Sequence, residues 1–232
     1  MVRRRGPTQL PDCSDRLISL VYPALTLGAR RAFRLYDEGE NELMSRIRPK
    51  RFAHVVYRTR RFDSMNEWYL KVFDGKIQFR NAILAFITYD DEHHRVALVN
   101  MSLLEPDGQE FERIGQIGVD HVAYAYGSLK ELLENWEQLK SFGIEPYWAV
   151  HHGVTASLYY RDPDGNRMEF QVDSYPTIEE TNVFMQGPGY AENPIGVDFN
   201  PGDWLTQLRL GVPEAQFLVR TKHHPISNFR EL

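Results

Sequence analysis

Cysteine is nearly absent: Cys13 is the only one in 232 residues. No disulfide can form within the chain, and a cysteine-based metal site has no ligands, so a reducing, cytoplasmic setting is expected. Long apolar runs are missing as well. The longest, 17–29, is broken by Pro23 and falls short of the about 20 residues that a bilayer span needs, so no membrane anchor is expected. Nor is there an excess of positive charge. Lys and Arg number 27 against 32 Asp and Glu, for a net charge of −5, and the basic residues are scattered, so nucleic acid is not an expected partner. The opening MVRRRG resembles a targeting segment, but Asp12, Asp15 and Pro23 spoil that pattern. What the chain does have is 42% hydrophobic and 12% aromatic residues, enough for a core in one domain or in two fused small modules.

Residues 1–47 read as an N-terminal extension, either helical or an upstream start, because Met44 opens a stretch that looks like a domain beginning. The first folded stretch is FAHVVYR, Phe52 to Arg58, whose β-branched and aromatic content predicts a strand. Ser64-Met65-Asn66-Glu67 has the form of a capping box, and Met65, Trp68, Tyr69, Val72 and Phe73 then recur at helical spacing until Gly75. Strands are expected at 77–80, 84–89 and 94–101. After a polar loop the order repeats. VDHVAYAY, Val119 to Tyr126, matches FAHVVYR, and Ser128 caps a second helix whose buried face is Leu129, Leu132, Leu133, Trp136 and Leu139. Strands at 144–150, 155–161 and 167–172 follow. Both halves therefore read βαβββ, an α+β organisation with modules at 48–115 and 116–175. Residues 176–232 form a C-terminal extension with short helices at 177–185 and 204–210, covering a sheet or one mouth of the site. No chemistry is assigned to it, and His223 and His224 read as solvated tail residues.

The densest signal is the stretch 151–173, HHGVTASLYYRDPDGNRMEFQVD, which reads as a hairpin. Pro163 fixes φ and Gly165 permits positive φ, so the turn pins the register. Alternation then places Glu169 on one face with Arg167 and Gln171, opposite Met168, Phe170 and Val172. Alone, Glu169 would read as a solvated or Arg-paired residue, and either first-strand histidine as an ordinary core or edge residue. Together, His54 and His121 at matched mid-strand positions plus Glu169 make a 2-His-1-carboxylate set, which leaves coordination positions open on Fe(II).

RFAHVVYRT, HHRVALV, GVDHVAY and YYRDPDGNRMEFQVD resemble the vicinal oxygen chelate superfamily (glyoxalases, bleomycin-resistance proteins, extradiol dioxygenases). Within it they are most similar to small type I extradiol ring-cleavage dioxygenases of the biphenyl-2,3-diol and catechol 2,3-dioxygenase kind. The resemblance covers about residues 48–200. It implies paired βαβββ modules forming a cupped mixed sheet around a metal, with His54, His121 and Glu169 binding Fe(II), or Mn(II) as the lesser option. It also implies a catecholic substrate cleaved with O2. By the same resemblance, His94 is the acid–base histidine beside the dioxygen site, and Tyr159 hydrogen-bonds the substrate oxygen. His152 is the substrate-side histidine, with His151 as its alternative; His93 points the other way and has no role.

Aligning HRVALV with NRMEFQ sets Ala97 opposite Glu169, so the first half lacks the carboxylate that four-ligand members carry. That favours dioxygen chemistry over a non-redox epimerase, lyase or glyoxalase-like enzyme, while the three aligned ligand-type residues speak against the second rival, a metal-free binder of aromatic ligands. A homodimer is the default expectation.

Overall fold

A computed structural model of the chain describes residues 49–109, 118–220 and 226–227. The expected extension at 1–47, Cys13, His223 and His224 lie outside the described residues. Every element described below lies in one compact unit, Arg51–Leu232.

The first module runs β1 (Val55–Thr59), α1 (Phe62–Val72), β2 (Lys76–Arg80), β3 (Leu84–Thr88), β4 (Val96–Asn100) and a single helical turn, α2 (Met101–Leu104). The second runs β5 (His121–Ala125), α3 (Leu129–Ser141), β6 (Trp148–His151), β7 (Thr155–Arg161) and β8 (Arg167–Asp173). The C-terminal extension adds α4 (Ile178–Met185), α5 (Pro188–Glu192), β9 (Val197–Asp198) and α6 (Pro201–Arg209).

Local chemistry explains the two principal helices differently. Ser128 caps α3 by accepting from the Glu131 backbone N–H at 3.1 Å, while the Glu131 carboxylate reaches back to the Gly127 N–H at 3.0 Å. In α1 the expected Ser64 cap is not used. That helix begins at Phe62, and Asn66 donates back to the Phe62 carbonyl at 2.7 Å, so Ser64 already lies inside the first turn. The expected strand 144–150 starts later, at Trp148. The expected strand 94–101 shrinks to β4, because the Asn100 side chain accepts from the Ser102 N–H and turns the chain into α2. Two placements follow for the candidate ligands. His54 sits just before β1 and His121 opens β5, so both stand at strand entrances rather than mid-strand.

The repeat is visible in the topology. The first sheet has the order β1-β4-β3-β2 and the second β5-β8-β7-β6-β9. In each, the first strand pairs parallel with the last of its module and the remaining pairs are antiparallel. The strands thus form two mixed sheets, one for each βαβββ module. One core serves both. Tyr57, Met65, Tyr69 and Leu98 of the first module cluster with Leu133, Leu158, Met168 and Phe170 of the second. Each such large side chain contributes on the order of 2 kcal/mol by leaving water. Polar contacts lock the same junction: the Tyr69 hydroxyl donates to Asp162 Oδ2 at 3.1 Å, and Arg61 pairs with Asp164 at 2.8 Å.

Candidate active site

The β7–β8 turn is built by Asp162. Its carboxylate accepts from the Asp164 N–H at 3.0 Å, the Asn166 N–H at 2.8 Å and the Asn166 amide at 2.7 Å, while Gly165 takes φ +79°. With the turn fixed, Tyr159 pairs with Glu169 across β7–β8, and Glu169 pairs with Ala123 across β8–β5. Period-two alternation then puts His121, Glu169 and Tyr159 on one face, and Met168, Phe170 and Tyr160 on the face buried in the core.

Glu169 is 6% exposed, and its Oε2 lies 3.1 Å from His121 Nε2. The other imidazole nitrogen, Nδ1, lies 2.6 Å from Asp120 Oδ2, and Arg167 holds Asp120 in turn at 2.6 Å. One imidazole is therefore flanked by two carboxylates. Hydrogen bonding to Glu169 raises the His121 pKa against the opposing effect of burial, with Asp120 adding to the rise. Burial pushes Glu169 up, but the hydrogen bond from His121 and the nearby charges bring it below its ordinary value. An imidazole whose Nδ1–H is given to Asp120 turns a lone pair toward a carboxylate oxygen. Either a proton or a cation must sit between them, which is the arrangement of a metal-binding histidine oriented by an outer carboxylate.

Beside this pair stand Tyr159 and His152. His152 Nδ1 is held by the Ile195 carbonyl oxygen. Nδ1 therefore carries the proton, and Nε2 accepts from the Tyr159 hydroxyl at 3.0 Å. Burial lowers the His152 pKa and raises that of Tyr159, so both are neutral near pH 7. His152 Nε2 also approaches Glu169 Oε1 at 3.9 Å. His151 belongs to the opposite face, where its ring lies 6.1 Å from Trp204 and its Nδ1 accepts from the Gly153 N–H.

The C-terminal extension supplies part of this site, contrary to the sequence reading that gave it no chemistry. Besides the Ile195 carbonyl, Arg220 donates to the His152 and Asn193 carbonyls at 2.8 and 2.6 Å, and Trp148 Nε1 donates to Asp198 at 3.0 Å. Trp148, Val150 and Tyr159 with Ile195 form an apolar wall. Asp120 was legible in principle, since it directly precedes His121. The Ile195 and Arg220 contacts carry no local signal at all.

His54 and His94 lie elsewhere. Their rings are 4.4 Å apart, and His94 stacks on Phe86 at 4.6 Å. His93, given no role on sequence grounds, joins them, 4.4 Å from His94 and 6.3 Å from His54. Burial lowers the His94 pKa, with the neighbouring histidines adding to the effect. The register equates the two modules residue for residue. Val56, two after His54, pairs with Ala97, just as Ala123, two after His121, pairs with Glu169. The structure thus gathers His121, Glu169, Tyr159 and His152 and does not bring His54 or His94 to them. Among the described residues no three His, Cys, Asp or Glu side chains converge as an ion requires. The donor chemistry of the His121–Glu169 pair suits a divalent metal.

Residues 51–170 match the family model described as glyoxalase/bleomycin resistance protein/dioxygenase superfamily. The chain belongs to this superfamily. Among its curated members, the chain is 47% identical over 163 residues to biphenyl-2,3-diol 1,2-dioxygenase 2 of Rhodococcus globerulus, covering 70% of this chain and 84% of that one. To biphenyl-2,3-diol 1,2-dioxygenase 3 of the same organism it is 40% identical over 171 residues, covering 73% and 88%. Of solved structures, lactoylglutathione lyase from Agrobacterium tumefaciens aligns with a TM-score of 0.43 at 18% identity, over 53% of this chain and 94% of that one.

Proposed function

We propose that this superfamily member is an extradiol ring-cleavage dioxygenase, opening the aromatic ring of a catecholic vicinal diol with O2. The observation that carries the reading is the 47% identity to a biphenyl-2,3-diol 1,2-dioxygenase over 84% of that protein. The metal is ferrous iron, with manganese as the lesser option, and His54, His121 and Glu169 are its donors. A metal so held supplies a position at which diol oxygens and dioxygen meet.

The chain's own residues support a proton-handling role around that position. His152 is neutral and its Nε2 is an acceptor, engaged by the Tyr159 hydroxyl, so a diol hydroxyl arriving in place of that hydroxyl gives its proton to His152 Nε2. Tyr159 then donates to the oxygen left behind. The Trp148, Val150 and Ile195 wall excludes water on this side and presents an apolar surface to the ring. His94, beside His54, is assigned the acid–base role near dioxygen. The absence of a carboxylate at Ala97 supports a three-donor rather than a four-donor site.

The test is an oxygen-electrode assay of iron-loaded protein with a panel of mono- and bicyclic catechols. One O2 consumed per diol with a yellow ring-opened product is expected. Equal turnover under argon would assign the chain to the non-redox branch of the superfamily.

A further inference from the structure

We infer that Arg220 is a positioning residue: it ties the backbone of His152 to the loop that grips the His152 ring, and so decides which ring nitrogen carries the proton. The inference rests on the proposed reaction and adds to it a residue that acts through His152.

His152 serves as a base toward a diol only while Nε2 is without a proton. A neutral imidazole carries one proton, and the hydrogen bond made by one nitrogen settles the state of the other. A carbonyl oxygen accepts and never donates, so the Ile195 carbonyl at Nδ1 draws the proton to that side. With that oxygen withdrawn, the ring is free to take the other tautomer. An N–H would then point at Tyr159 and at any oxygen that replaces its hydroxyl. Ile195 lies 43 residues from His152, in the loop between α5 and β9, so local geometry alone does not keep the two together.

The loop is clasped from within. Asn193 Oδ1 accepts from the Gly196 N–H at 2.7 Å, and the Asn193 amide donates to the Gly196 carbonyl at 2.9 Å. Gly196 has φ +119°, and a Cβ there would lie 2.5 Å from the His151 carbonyl oxygen, so glycine lets the loop lie close against β6. The clasp shapes the loop, and Arg220 anchors it. Its Nη1 donates to the His152 and Asn193 carbonyls at 2.8 and 2.6 Å, and its Nη2 to the Gly189 carbonyl in α5 at 2.6 Å. One rigid planar group thus spans the histidine's own backbone, the start of the loop and the helix before it.

The guanidinium has a built seat. Its Cζ lies 5.6 Å from the centre of the Phe184 ring, which Tyr175 and Tyr190 flank at 5.4 and 6.0 Å. Gly153, at φ +97°, leaves the room: a Cβ there would come within 2.7 Å of Phe184 and 3.1 Å of Arg220 Cζ. The hydrogen-bond acceptors of Arg220 are backbone oxygens of three separate segments, so what it sets is their relative placement.

The experiment reads full-length chain with 15N-labelled histidine by NMR in wild type, Arg220→Ala and Arg220→Lys, the His152 signals being those missing from His152→Asn. Iron-loaded samples of the same chains are assayed for ring cleavage. Wild type should show a protonated Nδ1 and a bare Nε2. Arg220→Ala should shift the proton toward Nε2 and keep its iron, losing kcat by about 10-fold or more while KM for the diol changes by less than about twofold. Millimolar guanidinium should restore both tautomer and kcat in Arg220→Ala, and Arg220→Lys, which keeps the charge without the planar fork, should fall between. A wild-type His152 protonated on Nε2 overturns the inference, as does a folded Arg220→Ala with an unchanged tautomer or with wild-type kcat. If Arg220→Ala is unfolded by circular dichroism, Arg220→Gln takes its place under the same criteria. A tautomer that shifts in a protein whose wild type cleaves no diol sinks the dioxygenase reading and keeps the positioning role. A tautomer that stays while wild type cleaves diol does the reverse.

Discussion

The two modules have the same topology and the same strand register, yet their outer faces are opposites. The first presents exposed apolar side chains and three neighbouring histidines; the second presents a buried carboxylate, a histidine gripped by Asp120 and an aromatic wall sealed by the C-terminal extension. Their inner faces are alike, because both serve one core. Duplication therefore fixed the scaffold, and chemistry diverged only where side chains were not needed for packing.

The largest effect should come from erasing the main difference. Glu169→Ala copies the first module's Ala97 into the second, and metal content and ring cleavage should both fall to background, read by metal analysis and oxygen uptake. Full metal loading in this variant would remove Glu169 from the donor set. Next come the inner faces, which should respond alike: Phe170→Ala and its counterpart Leu98→Ala, both 0% exposed, should each cost roughly 3–5 kcal/mol in urea unfolding. A large cost at one and none at the other would mean that the modules do not share their core.

A third measurement probes the buried histidine next to the site. Burial depresses His151 from 6.5 to about 4, so the folded chain keeps it neutral while the unfolded chain takes up a proton between those values. Stability should fall as pH drops through that window, by about 3 kcal/mol if the shift is fully expressed. His151→Asn, which can still accept from the Gly153 N–H, should flatten the slope; an unchanged slope would assign it to other groups. The smallest expected effect is at Asp120. Asp120→Asn removes a charge from His121 while keeping a hydrogen-bond acceptor, and should weaken metal binding or turnover by about 10- to 100-fold. Indistinguishable metal affinity would show that His121 needs no outer carboxylate.

Much of this was readable from particular residues. The Pro163–Gly165 turn pinned the hairpin, and alternation then set Glu169 on the face opposite Met168, Phe170 and Val172, which lie in the core. Ser128 announced α3 correctly, whereas Ser64 misled because the helix had already begun at Phe62. Local periodicity says which side chains share a face, but not which faces pack together. That choice depends on burial summed over both modules, as where Tyr57 and Leu98 meet Met168 and Phe170 in one core. The Ile195 and Arg220 contacts to His152 span long stretches of chain and follow no periodic rule.

The Tyr69–Asp162 hydrogen bond links positions 93 residues apart, and the acceptor belongs to the last hairpin of the second module. During synthesis, the leading repeat must emerge from the ribosome with one side of its helix still naked, and wait until that hairpin is made. The repeats therefore mature together only once that hairpin has been made, and a chain released before it is a target for chaperones rather than a working half.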